Sequence, residues 1–151
     1  MKKSIIVTVA LIVAIFAFGL TTITWTGSSL DRYRAGVVKA LAYYTTSDTS
    51  DTQTNWGHKG IRITVTTTDT ILTPSLVFTL QGYNVSSATW FTVLASAAIT
   101  GESTTNLFVY PGAAVTTNVS ANTALPHFWR IVSAAGDTDS CKYAVIAELI
   151  P

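Results

Sequence analysis

The sequence predicts an all-β protein, an antiparallel β-sandwich of jelly-roll or immunoglobulin-like topology, with an apolar segment ahead of it read as a helix. Three observations predict this. Charged residues make up only 11% of the 151, against roughly 25% in ordinary soluble domains, and Thr, Ser, Asn and Ala take their place. Apolar residues alternate with hydroxyl-bearing ones at period two, the spacing of a strand with one buried face. Turn signals then punctuate these runs at sandwich spacing, about seven strands in all.

The chain begins MKKSIIVTVALIVAIFAFGLTTITW, and Ile5 to Trp25 contains no charge. As a helix rising 1.5 Å per residue it would be roughly 30 Å long, the thickness of a bilayer core. Its twelve Ile, Val, Leu and Phe residues together favour insertion by on the order of 5 kcal/mol. Ile5, Leu11, Phe16 and Trp25 mark this membrane or assembly segment. Three readings stand side by side. Lys2 and Lys3 with the apolar run form a secretory signal, with Ala17-Phe18-Gly19 as a small-x-small cleavage site. Alternatively the helix is retained, across a membrane or against sister subunits. The β-branched IIVTV and TTITW instead support a buried strand pair or core helix. Arg32, Arg34 and Lys39 follow closely and resist simple export. Residues 1–29 are thus signal, anchor or assembly helix with a polar linker, and 30–151 the sandwich domain.

Within that domain, Leu30 to Leu41 has room for a helical turn or two, and Val37 to Thr45 for a first strand. Asp48 to Asn55 (DTSDTQTN) is wholly polar and reads as a surface loop. Ile61, Ile63 and Val65 alternate with Arg62, Thr64 and Thr66; Leu76, Phe78 and Leu80 repeat the pattern. Trp90 to Ser96, Asn106 to Tyr110, Phe128 to Ser133 and Lys142 to Ile150 complete the strands. Phe91, Val93, Leu107, Val109, Ile131, Val145 and Ala147 are expected to face inward with them. Ala144, Ile146 and Glu148 line the other face, where a neighbouring subunit would cover apolar residues. Pro111-Gly112 forces a turn, and Gly136 to Ser140 reads as a hairpin loop joining the last two strands.

Little chemistry is visible. Net charge is +1 with no Lys/Arg cluster past Lys39, so the attraction that carries nucleic-acid binding is missing. Cys141 is the single cysteine; a buried inert thiol is the simplest reading, an intermolecular disulfide the sharper one. His58 and His127 lack further ligands in sequence for a metal, Asp137 and Asp139 are turn residues, and no G-x-S-x-G or Gly-rich phosphate loop occurs. No catalytic, metal or cofactor site is expected, and no enzyme. Asn84-Val85-Ser86 and Asn118-Val119-Ser120 match the glycosylation tripeptide. The binding candidates are aromatic: Trp56, Trp90 and Tyr110 mark an interaction surface, and Trp56 or Trp90 exposed in one plane would suit carbohydrate.

NWGHKGI (Asn55 to Ile61), TPSLVFTLQGYN (Thr73 to Asn84), WFTVLASAAIT (Trp90 to Thr100), TNLFVYPG (Thr105 to Gly112), NTALPHFWRI (Asn122 to Ile131) and DTDSCKYAVIAELI (Asp137 to Ile150) follow in this order. The succession resembles small β-rich structural proteins of tailed bacteriophages over about Asn55 to Ile150; the apolar leader is not part of that pattern. The resemblance implies a virion head or decoration subunit working through contacts with itself and other subunits. It also implies that Pro126 fixes the approach to a strand, Trp129 fills core volume, and Arg130 meets a carboxylate or main-chain carbonyls. Two other classes remain: a secreted or membrane-tethered adhesion or carbohydrate-binding module, and a pilus-like filament subunit sharing the 5–25 helix. The expected location is the virion or cell surface, membrane-anchored if residues 1–25 are retained.

Overall fold

A computed structural model describes residues 34–71 and 74–151. The helix expected over 5–25, with Ile5, Leu11, Phe16 and Trp25, lies outside the described residues. Among those described, every regular element is a strand, and no helix is long and apolar enough to cross a membrane. The strands are β1 (Arg34–Tyr44), β2 (Asp48–Thr49), β3 (Gln53–Thr54), β4 (Gly60–Ile71), β5 (Leu76–Asn84), β6 (Thr89–Ala95), β7 (Ser103–Val109), β8 (Ser120–Ala121), β9 (Phe128–Ala135) and β10 (Ser140–Ile150).

They form two facing sheets, consistent with a β-sandwich. Sheet I runs β1-β10-β4-β7-β8; sheet II runs β2-β9-β5-β6, with β3 also on β9. All pairings are antiparallel except the short β7–β8 contact. The pairs are nested in sequence: β1 with β10, β2 and β3 with β9, β4 with β7, β5 with β6. The chain is therefore one long doubled ribbon, folded over so that β10 also meets β4 and β9 also meets β5.

Period-two alternation builds the core. Ile61, Ile63 and Val65 on β4, Leu107 and Val109 on β7, and Val145 and Ala147 on β10 face Phe78, Leu80 and Ile131 of sheet II, all at most 2% exposed. Tyr143 joins the layers: its ring meets Phe78 edge-on at 4.9 Å and stacks on Tyr44 at 4.3 Å. Its hydroxyl donates to Ser133 Oγ across the sandwich, 2.8 Å. Burial pushes this phenol up to about 12, the Ser133 bond acting in the opposite direction. Trp129 is also buried and fills core volume, and the Pro111-Gly112 turn forms with Gly112 at φ 86°, where glycine carries no steric penalty.

Four expectations are corrected. Residues 34–41 are strand, not helical turns, because β1 pairs along β10 from Arg34–Leu149 to Tyr44–Cys141; tertiary pairing overrides local preference. Asp48 to Asn55 is not a surface loop but the edge of sheet II, with Ser50 and Asn55 buried. Gly136 to Ser140 separates the last two strands, with Ser140 already in β10, but it does not close a hairpin, since β9 and β10 belong to different sheets. Phe91 is 45% exposed while Leu94 is buried. A register shift pairs Leu80 with Leu94 but Gln81 with Thr92, so an extra residue puts Leu94 rather than Val93 on the inner face. Phe91 faces Gly82, at an end of the inner face closed by Pro126; a Cβ on Gly82 would lie 2.7 Å from Phe91 Cζ and 2.5 Å from Pro126 Cγ. Val93, also expected inward, is half-buried and packs against the core.

Candidate interaction surfaces

The outer face of sheet I is set by the parity that fills the core. With Tyr143, Val145 and Ala147 inward, β10 turns Lys142, Ala144, Ile146 and Glu148 outward. The register then builds rows across the sheet. Glu148 pairs with Ala35 and Arg62, and Arg62 with Phe108. Ile146 pairs with Val37 and Thr64, Thr64 with Asn106; Ala144 pairs with Thr66, Thr66 with Thr104. Lys142 pairs with Tyr43 and Asp69.

This face is neutral and hydroxyl-bearing in its middle, where Val37 is 47% and Ile146 42% exposed. Its charges sit at the two ends. Arg62 Nη1 lies 3.4 Å from Glu148 Oε2, with both side chains substantially exposed, a pair that stabilises the fold by about 0–1 kcal/mol. At the other end the Tyr43 hydroxyl donates to the Asp69 carboxylate, which holds the phenol above its ordinary range. The Lys142 ammonium lies 5.6 Å from the Tyr43 ring centre.

Sheet II carries a different outer face. At the ends of β5, β6 and β9, the Arg130 guanidinium lies over the Trp90 ring at 4.0 Å and Tyr83 packs against Trp90 at 5.1 Å. Arg130 Nε donates to Gln81 Oε1, 2.9 Å. Its partners are thus an indole face and a side-chain amide, rather than the carboxylate or main-chain carbonyls that the resemblance implies. The loop beside β3 adds Trp56, 79% exposed, edge-on to His127 at 5.8 Å, and His127 packs on Phe128 at 4.4 Å. His127 is tied through Nδ1 to the Asn55 carbonyl, 2.9 Å. Asn55 itself organises this loop: its Nδ2 donates to the carbonyls of His58 and Leu125, and its Oδ1 accepts from the amides of Gly57 and His58.

Trp56, Trp90 and Tyr110 do not come together. Trp90 is half-buried on the outside of sheet II with one ring face under Arg130. Tyr110 follows β7 on the outside of sheet I, stacked on Phe108 at 6.2 Å. Trp56 projects from the loop between β3 and β4. No single aromatic plane contains them.

The remaining candidates have structural roles. Cys141 is buried in β10, and burial pushes its thiol up, opposed by the Thr67 side chain and reinforced by Asp69. Asp137 Oδ1 accepts from the Asp139 amide, 3.1 Å, capping the turn between β9 and β10. Asn84 Oδ1 accepts from Ser86 and Ser87 amides in the β5–β6 turn, and Ser120 Oγ is bonded to Ala114 O and Thr116 N. An open groove of about 830 Å³ runs beside β7, lined by Ala97 to Asn106 and Thr117 to Val119, with Glu102 its one charged residue. Among the described residues no group of three His, Cys, Asp or Glu side chains is placed to hold a metal ion.

No family model matches the chain, and no curated protein matches it. The charged ends of sheet I and the Arg130–Trp90 stack went unrecognised in sequence. Parity alone placed Arg62 and Glu148 outward, but only the register shows that they are neighbours.

Proposed function

We propose that the chain is a jelly-roll structural subunit, non-enzymatic, of a virion or similar extracellular assembly, and that it works through subunit contacts. Nested pairing supports the topology: with β2 and β3 counted as one interrupted strand, a four-on-four doubled ribbon is rolled into two sheets, the plan of jelly rolls in capsid proteins and lectins. The observation that carries the subunit reading is the outer face of sheet I. It is four long strands wide, neutral and hydroxyl-bearing in its centre, with Val37 and Ile146 half-exposed there. Such a surface loses less on desolvation than a charged one, which suits lasting contacts. The sequence resemblance to phage structural proteins points to the virion as the setting.

Immunogold labelling and mass spectrometry of density-banded particles test this, using antibody raised against the full chain. A fixed copy number per particle is the expected result. Recovery solely from membranes or culture fluid, with none on particles, would overturn it.

A second reading, the carbohydrate-binding module, is favoured by Trp56 at 79% exposure beside His127 and Phe128. It predicts that a soluble glycan raises the melting temperature and that Trp56→Ala abolishes the rise.

A further inference from the structure

The charges on the outer face of sheet I form an alternating pattern that fits its own copy. On β10, Lys142 and Glu148 lie at opposite ends of the face; on the neighbouring β4, Asp69 and Arg62 lie opposite them. Each end therefore carries one positive and one negative charge, and so does each of the two strands. The paired residues Val145 and Val65 mark the midpoint. Around it the outward side chains are Ile146, Ala144, Thr64 and Thr66, without charge.

We propose that this face packs against the same face of a second copy of the chain, about a two-fold axis lying in the contact plane. The proposal rests on the reading of the protein as a structural subunit and names its partner and surface. A two-fold contact is isologous, so a patch must be complementary to itself. With the axis along the strands, β10 covers β4 of the second copy. Arg62 then meets the second Glu148 and Lys142 the second Asp69. With the axis across the strands, β10 covers β10, Glu148 meets the second Lys142 and Arg62 the second Asp69. Opposite charges meet in both arrangements and like charges in neither, and Ile146 and its neighbours are buried at the centre.

The dimensions fit. Four strands at about 4.8 Å spacing and up to twelve residues at about 3.4 Å give roughly 600–700 Å² of projected face, close to the ~800 Å² per partner of a stable interface. The Arg62–Glu148 pair holds the fold weakly, being exposed, so reversing either charge acts on the contact more than on folding. The opposite face, with Arg130 over Trp90 and Trp56 projecting, lacks such self-complementarity.

The test uses full-length chain in mild detergent, followed by sedimentation and native mass spectrometry, with circular dichroism as a control on folding. Wild type is expected to dimerise, and Arg62→Glu, Glu148→Arg and Asp69→Lys each to weaken the dimer by at least about 100-fold through facing like charges. Mixing Arg62→Glu with Glu148→Arg restores a heterodimer if the axis runs along the strands. Mixing Arg62→Glu with Asp69→Lys restores it if the axis runs across. Recovery in either mixture supports the two-fold face. A monomeric wild type, or reversals that neither mixture rescues, overturns it. Self-association indifferent to every reversal also overturns it, while leaving a structural subunit that associates through another surface.

Discussion

The middle of the sandwich and the edge of sheet II are both buried, and opposite means keep them so. Between β4, β10 and β5, β9 the buried groups are Ile61, Ile63, Phe78, Leu80 and Val145, and water is excluded because those groups are apolar. Along Ser50 to Asn55 the buried groups are polar, and each is held by bonds to the main chain. Ser50 Oγ accepts from the Ile131 amide and donates to the Asp51 carbonyl, while Asn55 satisfies two amides and two carbonyls at once. Apolar burial tolerates shape changes in proportion to lost contact. Hydrogen-bonded burial has little tolerance, because a missing partner leaves others unsatisfied in a dry site.

The largest effect that tests this contrast lies in the apolar region. Trp129→Ala should cost about 3–5 kcal/mol by urea denaturation, the transfer loss plus a cavity. Among the described residues, its indole N–H is buried without a hydrogen-bond partner, so Trp129→Phe should cost distinctly less; equal losses would show that the indole N–H is bonded after all. At the polar edge, Asn55→Ala removes far less volume yet should cost about 2–3 kcal/mol, since four main-chain groups lose partners. A loss below about 0.5 kcal/mol would mean that solvent reaches this loop freely.

Tyr143 stands where the two regimes touch, and pH reads it. Its phenol is held up at about 12 in the folded state against 10 in the unfolded chain. Stability from this group is thus complete below pH 10 and falls as pH rises from there toward 12, at up to about 1.4 kcal/mol per pH unit. Tyr143→Phe should flatten that slope in denaturation measured between pH 9 and 12, at a cost of about 1 kcal/mol at neutral pH for the lost bond to Ser133. An unchanged slope would assign the alkaline loss to other groups. The smallest effect is expected at the exposed Arg62–Glu148 pair, where Arg62→Ala should shift monomer stability by under about 1 kcal/mol.

The same contrast explains what was legible in the sequence. Apolar alternation announced β4, β5, β7, β9 and β10, because residues such as Ile61, Ile63 and Val65 carry their burial in their type. DTSDTQTN carries no such mark. Its burial depends on Ile131 and Leu125, remote partners whose amide and carbonyl a sequence does not align. β6 misled for a related reason: a single extra residue buried Leu94 in place of Val93, and bulges leave no compositional trace. The aromatic trio was scattered because Trp90 lies on the outside of sheet II, Tyr110 follows β7 on the outside of sheet I and Trp56 projects from a loop, and layer membership follows from strand pairing alone. For the same reason Lys142, Asp69, Arg62 and Glu148, far apart in sequence, came together only through the β10–β4 register.

Nested pairing also has a consequence in time. β10 is the last of the described strands in sequence yet lies inside sheet I, between β1 and β4, and Arg34 waits for Leu149. During synthesis β1 and β4 have no strand between them until β10 emerges, and their edges stand open as templates for wrong partners. Closure must bring together strands about a hundred residues apart, β1 and β10, which places folding in the slow range of milliseconds to seconds. The sandwich is completed at a single late event, the insertion of β10.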